Sequence, residues 1–411
     1  MVLAVEDKGK NRALPQGWRW ARLADLCRIS HGGTPSKANP DFWIGTVPWV
    51  SPKDMKAPVL CDSTDHISED AIEHSSTTTV PEGTVLVVVR SGILAHSLPV
   101  AIAGGRVAFN QDIKALSPRE GGTIDPPFLF WSLKAAENRV IFGGVKKGPT
   151  VHSIRSGFLE DLEIPLPPLV EQKRIVAILN EQMAAVERAR AAAEAQLEAA
   201  EVLPAAYLRV VFESPEAQRW PTGKLGEVLT LRKEVVHPRD NPAGSAIFVG
   251  LEHIEPSSGR RIGGLPVEMS QLKGRKPRFY RGDIVYGYLR PYLNKVWIAD
   301  FDGLCSVDQY VYSVPAALAD AQFIAWFMRS GTFLRRAPVD GAPAWLPRIR
   351  IDEVAATQIN LPPLEEQHRI AAMLREQIAS TEQARKAIQE KLGTINNLPA
   401  ALLRLAFAGE L

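Results

Sequence analysis

The 411-residue sequence has little cysteine, no long hydrophobic run and almost no net charge. Its three cysteines, Cys27, Cys61 and Cys305, are too scattered to indicate a disulfide framework or a zinc site. The longest apolar runs, such as TVLVVV before Arg90, are far shorter than the roughly 18 residues that a membrane helix requires. The N-terminus lacks the basic-then-apolar pattern of a signal peptide. We therefore expect a cytoplasmic protein with no membrane span and no metal, and 45% hydrophobic residues exclude wholesale disorder.

An internal repeat organises the chain. The stretch IPLPPLVEQKRIVAILNEQ begins at Ile164, and INLPPLEEQHRIAAMLREQ begins at Ile359, 195 residues later. The match continues without a gap to about Ser214 and Gly409, and about half of the aligned positions are identical. Similarity of that extent indicates a duplication.

Each copy of the repeat predicts one long helix. Proline pairs at 167–168 and 362–363 stand just before it, where a missing N–H costs least. Apolar or small residues then recur at steps that average about 3.6, so they form one face. This predicted seam comprises Ile175, Leu179, Met183, Val186, Ala193 and Leu197, and in the second copy Ile370, Leu374, Ile378, Ile388, Leu392 and Ile395. Each helix is predicted to span about 33 residues, roughly 50 Å, and to end before Pro204 or Pro399.

A long helix with one narrow apolar seam requires a partner. We expect the two copies to pair with each other, because their seams match in length and phase. The pseudo-twofold symmetry of a duplicated chain favours an antiparallel coiled coil. The alternative is that each seam packs on the globular segment beside it.

The helices at 164–214 and 359–411 each follow a globular segment, at 1–163 and 215–358. Both segments contain a Gly turn before a β-rich run, PEGTVLVVV and YRGDIVYGYL, and both contain an aromatic helix, FLFWSL and FIAWFM. The strings FNQDI and SVDQYV are a further parallel. Abundant Gly and Pro between short apolar runs predicts an α+β class, with two loop-rich mixed α/β domains and a pseudo-twofold relation from the repeat.

The formal charge of +2 hides a difference between the segments. Residues 215–358 carry 19 basic and 15 acidic side chains, whereas 1–163 carry 18 of each. Clustered bases interleaved with aromatic rings are typical of phosphate contact, and Arg can also read guanine edges. The candidates in the second segment are Arg260, Arg261, Lys273, Arg275, Lys276, Arg278, Arg290, Tyr292, Lys295 and Arg348. The alternative is a solvated face with local salt bridges.

The first segment offers weaker candidates for phosphate contact. They are Thr34, Ser36 and Lys37 in a Gly-rich loop, Lys53, Arg90 at a strand tip, and Lys146, Lys147 and Thr150 in a second loop. Each of these residues fits a phosphate contact or an ordinary polar loop equally well.

No catalytic site is predicted. The tetrapeptide Asp125-Pro126-Pro127-Phe128 matches the one with which amino-methyltransferases hold a target base, but no Gly-rich loop for a methyl donor follows a strand elsewhere. The prolines instead predict the start of the aromatic helix. There is no GxxxxGK[ST] phosphate loop, and the eight histidines form no metal-binding pair. We expect no catalytic residue, metal ligand or bound cofactor on this chain.

Two variable segments, each followed by LPPL-x-EQ-x-RI-x-x-x-L, resemble the specificity (S) subunits of type I restriction–modification enzymes. The segment GGTPSKANPDFWIGTVPWVSPKDM resembles the opening of their target-recognition domains. The resemblance covers essentially the whole chain. It implies a non-catalytic DNA-binding subunit, in which 1–163 and 215–358 each read one half of a bipartite target and the paired helices set the spacer.

The resemblance also implies partners: double-stranded DNA, two methyltransferase (M) subunits and restriction/translocase (R) subunits. Those subunits would carry S-adenosylmethionine, ATP and Mg, and would supply adenine methylation and ATP-dependent cleavage. The first segment is nearly neutral, whereas a domain that binds DNA by itself is expected to be strongly basic. The M subunits are therefore expected to supply part of the phosphate contacts. Two alternatives are a coiled-coil adaptor with two protein- or glycan-binding modules, and an autonomous methyltransferase that uses Asp125.

Overall fold

The computed structural model of the protein describes residues 14–240, 242–337 and 347–411. The chain divides into two compact units. Unit 1 contains the described residues up to Ala192 together with Leu392–Leu411, and unit 2 contains Ala193–Lys391. Both long helices are divided between the units, so each helix gives its beginning to one unit and its end to the other.

Unit 1 is a mixed α/β structure in which most strands are short. Its strands are β1 (Arg19–Arg22), β2 (Cys27–His31), β3 (Val47–Val50), β4 (Val59–Leu60), β5 (Asp65–Ile67), β6 (Thr79–Val80), β7 (Val85–Val88), β8 (Arg90–Ser91), β9 (Val100–Ala103), β10 (Val107–Phe109), β11 (Ile113–Pro118), β12 (Val145–Lys146), β13 (His152–Ile154) and β14 (Glu163–Leu166). Its helices are α1 (Leu23–Leu26), α2 (Glu69–Glu73), α3 (Pro126–Ala135), α4 (Glu137–Arg139) and the first part of α5 (Leu169–Phe212).

Unit 2 has the same character. Its strands are β15 (Thr222–Lys224), β16 (Thr230–Leu231), β17 (Val235–Val236), β18 (Ser245–Val249), β19 (Pro266–Glu268), β20 (Lys276–Phe279), β21 (Ile284–Gly287), β22 (Val296–Ile298), β23 (Gly303–Cys305), β24 (Gln309–Ser313) and β25 (Gln358–Asn360). Its helices are α6 (Ala321–Arg329), α7 (Gly331–Arg336), α8 (Ile351–Ala356) and the first part of α9 (Leu364–Ala406).

The two units repeat the same sheet order around a buried central strand. Strands of unit 1 run in the order β2-β11-β7-β9-β4, and those of unit 2 run β16-β24-β21-β22. The central strands β7 and β21 are buried along their whole length, which is why VLVV and IVYG read as continuous runs without polar alternation. Each unit also has an equivalent parallel pair in its second sheet, β3 with β10 in unit 1 and β18 with β23 in unit 2. The faint sequence parallel between the globular segments therefore reflects a shared topology.

The long helices start where the sequence predicts, directly after the proline pairs, but they end later. The helix α5 has 44 residues and contains Pro204, and α9 has 43 residues and contains Pro399. The prediction that each helix ends before its proline is wrong. A proline removes only one backbone donor, and the last turns are stabilised by tertiary packing.

That packing is seen inside each unit. In unit 1, Phe407 follows the end of α9 and its ring lies 5.4 Å from that of Phe128 of α3. In unit 2, Phe212 ends α5 and its ring lies 5.4 Å from that of Phe323 of α6. The turns after each proline thus bury aromatic and aliphatic side chains in a globular core, and this burial outweighs the lost hydrogen bond.

The predicted apolar seam is largely buried along both helices. The buried members are Ile175, Leu179, Val186, Ala193, Ile370, Leu374 and Ile395, and the half-buried members are Met183, Leu197, Ile378, Ile388 and Leu392. The first residues of each seam belong to the core of the globular domain beside them, as the alternative interpretation requires. None of the helices in the described ranges is apolar over a length that would cross a membrane.

A buried glutamine fixes the beginning of each long helix. In the first repeat, the Gln172 side chain accepts a hydrogen bond from the Asp125 amide (2.9 Å) and donates to the carbonyl oxygens of Pro167 (2.8 Å) and Thr123 (2.6 Å). In the second repeat, Gln367 accepts from the Asp320 amide (3.0 Å) and donates to the Pro362 carbonyl oxygen (2.8 Å). The glutamine of the EQ motif therefore joins each long helix to the aromatic helix of its unit.

We predict that Gln172→Ala lowers the free energy of unfolding by about 2–4 kcal/mol, because it leaves buried backbone groups without partners. Urea unfolding followed by circular dichroism measures the change. The matched control is Gln182→Ala in the same helix, whose side chain is exposed and whose loss should cost less than about 0.5 kcal/mol. Equal losses in the two variants would contradict this role of Gln172.

Candidate nucleic-acid interface

The same construction occurs at the end of the central strand in both units. In unit 1 the Val89 amide donates to the Asp112 carbonyl oxygen (2.8 Å), and the Ile154 amide donates to the Val89 carbonyl oxygen (2.8 Å). In unit 2 the Tyr288 amide donates to the Asp308 carbonyl oxygen (3.2 Å), and the Ile349 amide donates to the Tyr288 carbonyl oxygen (3.2 Å). Each central strand is therefore followed by a tip that is held by two later segments of the same unit. We call these the strand tips.

The strand tip of unit 1 gathers several predicted bases on one small sheet. Strands β12, β13 and β8 pair in that order, and their register places Lys146 opposite Ser153 and Ser153 opposite Arg90. Residues opposite one another on adjacent strands point to the same face. The Arg90 side chain is 61% exposed, and its guanidinium lies 3.8 Å from Oδ1 of Asp112. Lys147 and Thr150, in the turn that joins β12 to β13, are also exposed.

The other predicted residues of unit 1 are arranged differently. The Thr34 hydroxyl donates to Oε1 of Gln111 (2.6 Å), beside the residues that hold the tip. Lys37 is exposed, whereas the Ser36 hydroxyl accepts a hydrogen bond from the Ala38 amide (3.3 Å). The Lys53 ammonium lies 2.8 Å from a carboxylate oxygen of Asp65, and this hydrogen bond raises the pKa of Lys53. Lys53 is thus engaged within the unit, although its side chain is half exposed.

The strand tip of unit 2 combines arginine with stacked tyrosine rings. The Tyr288 and Tyr310 rings stack at 4.4 Å between centroids and 20° between planes. Arg348 is bridged to Leu289 through the backbone, and the Arg290 amide donates to the Pro347 carbonyl oxygen (2.7 Å). Burial raises the pKa of Tyr310 to about 12, against the opposing charge of Arg348, so the hydroxyl stays protonated at neutral pH.

Arg275 is a further base at the strand tip of unit 2. Burial raises the pKa of Tyr288, and the charges of Arg348 and Arg275 oppose that rise, which places both guanidinium groups in the field of this ring. Arg290, Tyr292, Arg275 and Arg348 are all exposed. The structure therefore places Arg275 and Arg348 near Tyr288, and Arg290 follows Tyr288 by two residues in the chain.

Two bases of the run at 273–278 are engaged by other side chains of the unit. Arg278 lies 2.9 Å from Glu234, and Lys276 donates to the Lys273 carbonyl oxygen (2.7 Å) with its ammonium 5.5 Å from the centroid of the Phe248 ring. Lys273, like Arg275, is exposed and has no carboxylate within 4 Å in the part of the chain that the structure describes. The run thus contains both free and paired charges.

Three further candidates serve contacts inside unit 2. Arg260 lies 2.7 Å from Glu255 and 3.6 Å from Glu382 of α9, and its hydrogen bond lowers the pKa of Glu255. Arg261 stacks over the Phe301 ring at 4.9 Å, and Lys295 donates to a backbone carbonyl oxygen at 2.6 Å. Their contacts match the alternative interpretation of local salt bridges and packing.

The sequence analysis did not select the stacked rings of Tyr288 and Tyr310, or Asp308 and Ile349, whose backbones hold the strand tip of unit 2. The string YGYLRPYLN carries the signal for aromatic interleaving, and Tyr288 could have been selected from it. Tyr310 could not, because its place in the stack depends on the pairing of β21 with β24. In the described ranges, no group of three or more His, Cys, Asp or Glu side chains is arranged to hold a metal ion.

The chain is similar to known proteins of one family. Residues 15–198 match the family model of the type I restriction modification DNA specificity domain. The EcoR124I/EcoR124II specificity subunit of Escherichia coli is 38% identical over 162 residues, which are 39% of this chain and 40% of that relative. The EcoDI specificity subunit of Escherichia coli is 27% identical over 320 residues, 70% of each chain. These relatives are named specificity subunits of type I restriction enzymes, and the chain is similar to them.

Two solved structures share the fold of this chain over nearly its whole length. A chain solved in work on complex assembly and conformational transition of the type I R-M system matches with a TM-score of 0.71, at 20% identity, and covers 97% of this chain and 100% of that one. The HsdS subunit from Thermoanaerobacter tengcongensis matches with a TM-score of 0.65, at 19% identity, and covers 98% and 99%. Most alignments with curated specificity subunits span only about two fifths of the relative's length.

Proposed function

We propose that this chain is the DNA-reading subunit of a type I restriction–modification complex, and that each unit reads one half of a bipartite target. The observation that carries the proposal is the repeated strand tip, which presents Arg90 and Lys146 in unit 1 and Arg275, Arg290 and Arg348 in unit 2. Exposed guanidinium groups suit both phosphate contact and guanine edges. Different side chains on a shared frame suit two different half-sites.

We further propose that α5 and α9 pair as an antiparallel coiled coil and set the length of the unread spacer. Support comes from the buried apolar stripe on each helix, which continues past the globular cores to Ala193 and Ile395. The beginning of each helix lies in the same unit as the end of the other: in unit 1, Arg174 of α5 donates to the carbonyl oxygen of Leu411 (2.7 Å). A rod of 44 residues is about 66 Å long.

The same proposal includes partner subunits. Two methyltransferase subunits would dock on the helical regions, where α5 exposes the apolar side chains of Val170 (84%), Val202 (61%) and Val210 (69%). Exposed apolar side chains of this kind are typical of protein interfaces. Restriction/translocase subunits would join the complex, and S-adenosylmethionine, ATP and Mg would be held by the partners. In this role, the two target-recognition domains are the predicted segments 1–163 and 215–358. The repeat helices are the predicted segments 164–214 and 359–411.

Binding to duplex DNA tests the proposal. The chain purified together with its methyltransferase subunits should bind duplexes that carry its target with an affinity that falls steeply as salt rises. We expect Arg90→Ala and Lys146→Ala each to reduce the slope of log affinity against log salt by about 1, since each removes one phosphate contact. Fluorescence anisotropy over a range of salt concentrations measures the slope.

The matched control is Lys53→Ala, in which the lost ammonium is already paired with Asp65. Its effect on the slope should be smaller than that of Lys146→Ala. Binding that does not depend on salt, or preferential binding of a glycan or a peptide, would favour the adaptor alternative. Methyl transfer by the purified chain alone would favour the autonomous methyltransferase.

A further inference from the structure

A cluster of left-handed backbone conformations lies beside the strand tip of unit 2. Three non-glycine residues in the described ranges have positive φ, and all three lie here: Ser257 (60°), Arg290 (50°) and Asn294 (45°). The Ser257 amide donates to the carbonyl oxygens of Leu293 (3.1 Å) and Asn294 (3.2 Å), so two separate loops share the cluster. Left-handed backbone is unfavourable for residues with a Cβ, and such strain tends to occur at functional sites. The observed cluster therefore requires a functional explanation.

The turn between Arg290 and Asn294 is rigidly held. The Leu293 amide donates to the Arg290 carbonyl oxygen (2.9 Å), and the Asn294 amide donates to the Pro291 carbonyl oxygen (2.9 Å). Asn294 is only 1% exposed, and its side chain donates to the carbonyl oxygen of Arg329 (2.9 Å). Proline at the first position of the turn fixes one further dihedral. The backbone of this turn therefore has little freedom to adjust to a ligand.

The cluster is held in place by a buried guanidinium group. Arg329 ends α6, and its Nε donates to the Val296 carbonyl oxygen (2.9 Å) while Nη2 lies 3.5 Å from the Gly259 carbonyl oxygen. Its guanidinium stacks over the Trp326 ring at 4.6 Å, and no carboxylate of the described residues pairs with it. Burial lowers the pKa of Arg329 to about 10, so it remains charged at neutral pH. Arg329 thus contacts both loops of the cluster, the loop at Gly259 through its guanidinium and the turn at Asn294 through its backbone carbonyl oxygen.

The space for this guanidinium depends on a glycine. Gly259 has a positive φ of 65°, and a Cβ at this position would overlap the guanidinium of Arg329 and the carbonyl oxygen of Val296. A glycine with left-handed backbone therefore permits the close approach of the loop to the buried arginine. The glycine at position 259, its left-handed backbone and the burial of Arg329 all indicate that the two loops are held in one arrangement.

The rigid turn presents two side chains to solvent. Arg290 is exposed and Tyr292 is 62% exposed, and the amide of Arg290 donates a hydrogen bond to the carbonyl oxygen of Pro347, the neighbour of Arg348. A phosphate contact alone does not require a rigid backbone, since a flexible lysine supplies the charge. Reading a base edge does require a fixed donor, because bidentate hydrogen bonds to guanine depend on geometry.

We infer that the turn Arg290–Asn294 is a base-reading element of unit 2, that Arg290 and Tyr292 determine its specificity, and that the buried Arg329 is the residue that positions it. This inference rests on the proposed function. It assigns the reading of one half-site to two named side chains and separates them from the bases that contact phosphate.

The test selects preferred sequences from a pool of duplexes randomised over both half-sites, with the full chain and its methyltransferase subunits as the binder. We expect Arg290→Ala to reduce discrimination by about 10- to 100-fold at one or two adjacent base pairs of one half-site, and to leave the other half-site unchanged. Tyr292→Ala should affect positions next to these. The matched control is Arg239→Ala, an exposed arginine elsewhere in unit 2, which should leave every preference unchanged.

The outcomes separate this inference from the proposed function. If Arg290→Ala weakens binding equally for all sequences, Arg290 is a phosphate contact and the inference is wrong. If the unaltered complex selects no sequence from the pool, the proposed function itself fails.

The positioning role of Arg329 must be tested by sequence preference, which a loss of stability alone would not change. Arg329→Lys and Gly259→Ala both disturb the guanidinium but keep a charge in the cavity, and thermal melting identifies the temperatures at which each variant is folded. In the folded range we expect relaxed preference at the same base pairs as in Arg290→Ala, with less than about 3-fold loss at the other half-site. A folded Arg329→Lys variant with unchanged preference would overturn the positioning role.

Discussion

Exchange of the second globular segment for that of a known type I specificity subunit is expected to change one half of the recognised sequence and to leave the other half intact. Each unit has its own core and its own strand tip, so the exchange should not change how unit 1 binds its half-site. Two mismatched base pairs at about 1–3 kcal/mol each reduce affinity for the old target by about 30-fold or more. Methylation mapping in cells that express the hybrid complex measures both half-sites at once.

The pairing of strands determines where the exchanged segment should begin and end. Strand β25 (Gln358–Asn360) pairs with β15 (Thr222–Lys224), so the exchanged segment should run from 215 to 361 and carry both strands. In the same way β14 crosses the predicted boundary at 163, because it pairs with β1. The matched control exchanges the segment for itself through the same cloning junctions. A hybrid in which both half-sites change would contradict independent reading.

Insertion of four residues into each long helix is expected to lengthen the preferred spacer by about one to two base pairs. Four residues add about 6 Å of helix, and one base pair of DNA rises about 3.4 Å. The insertions belong at Ala193 in α5 and at Ile388 in α9, which are equivalent positions of the repeat. Affinity for a set of duplexes that differ only in spacer length measures the shift.

Two controls make this experiment specific. Insertion into α5 alone should shift the phase of one seam against the other, so we expect a lower melting temperature rather than a new spacer. Insertion of the same four residues between Gly121 and Gly122, in a turn of unit 1, should leave the spacer unchanged. An unchanged preference after the double insertion would mean that the helices do not set the spacer.

The fold was predictable where one local pattern decides the structure. The repeat, the helix starts after Pro168 and Pro363 and the aromatic helices α3 and α6 all follow from periodicity and proline placement. The helix ends did not, because the turns beyond Pro204 and Pro399 are held by packing against aromatic residues distant in sequence. The role of Gln172 was hidden for the same reason, since its partner Asp125 lies 47 residues away.

The candidate site was predictable in part. The place of Arg90 at a strand tip follows from a buried run that ends in a polar turn. The engagement of Arg278 by Glu234 and of Arg260 by Glu382 did not follow, because these pairs join different loops and helices. No sequence rule places Arg290 in a left-handed conformation, which the surrounding hydrogen bonds impose.

The small net charge has a physical explanation in these pairs. Carboxylates of the same units neutralise several of the clustered bases, so the total charge understates the charge of the strand tips. Arg275, Arg290 and Arg348 retain theirs near the stacked tyrosines. The proposed reader therefore needs additional phosphate contacts from its partner subunits.

Genome-wide mapping of methylated adenines in cells that express this chain with its methyltransferase subunits shows whether the chain directs methylation to a two-part target. We expect a single bipartite motif, with two specific half-sites separated by an unread spacer of fixed length. We also expect Arg290→Ala to relax the same half-site that exchange of 215–361 changes. A continuous motif, or methylation that does not depend on this chain, would mean that the two units do not read two half-sites.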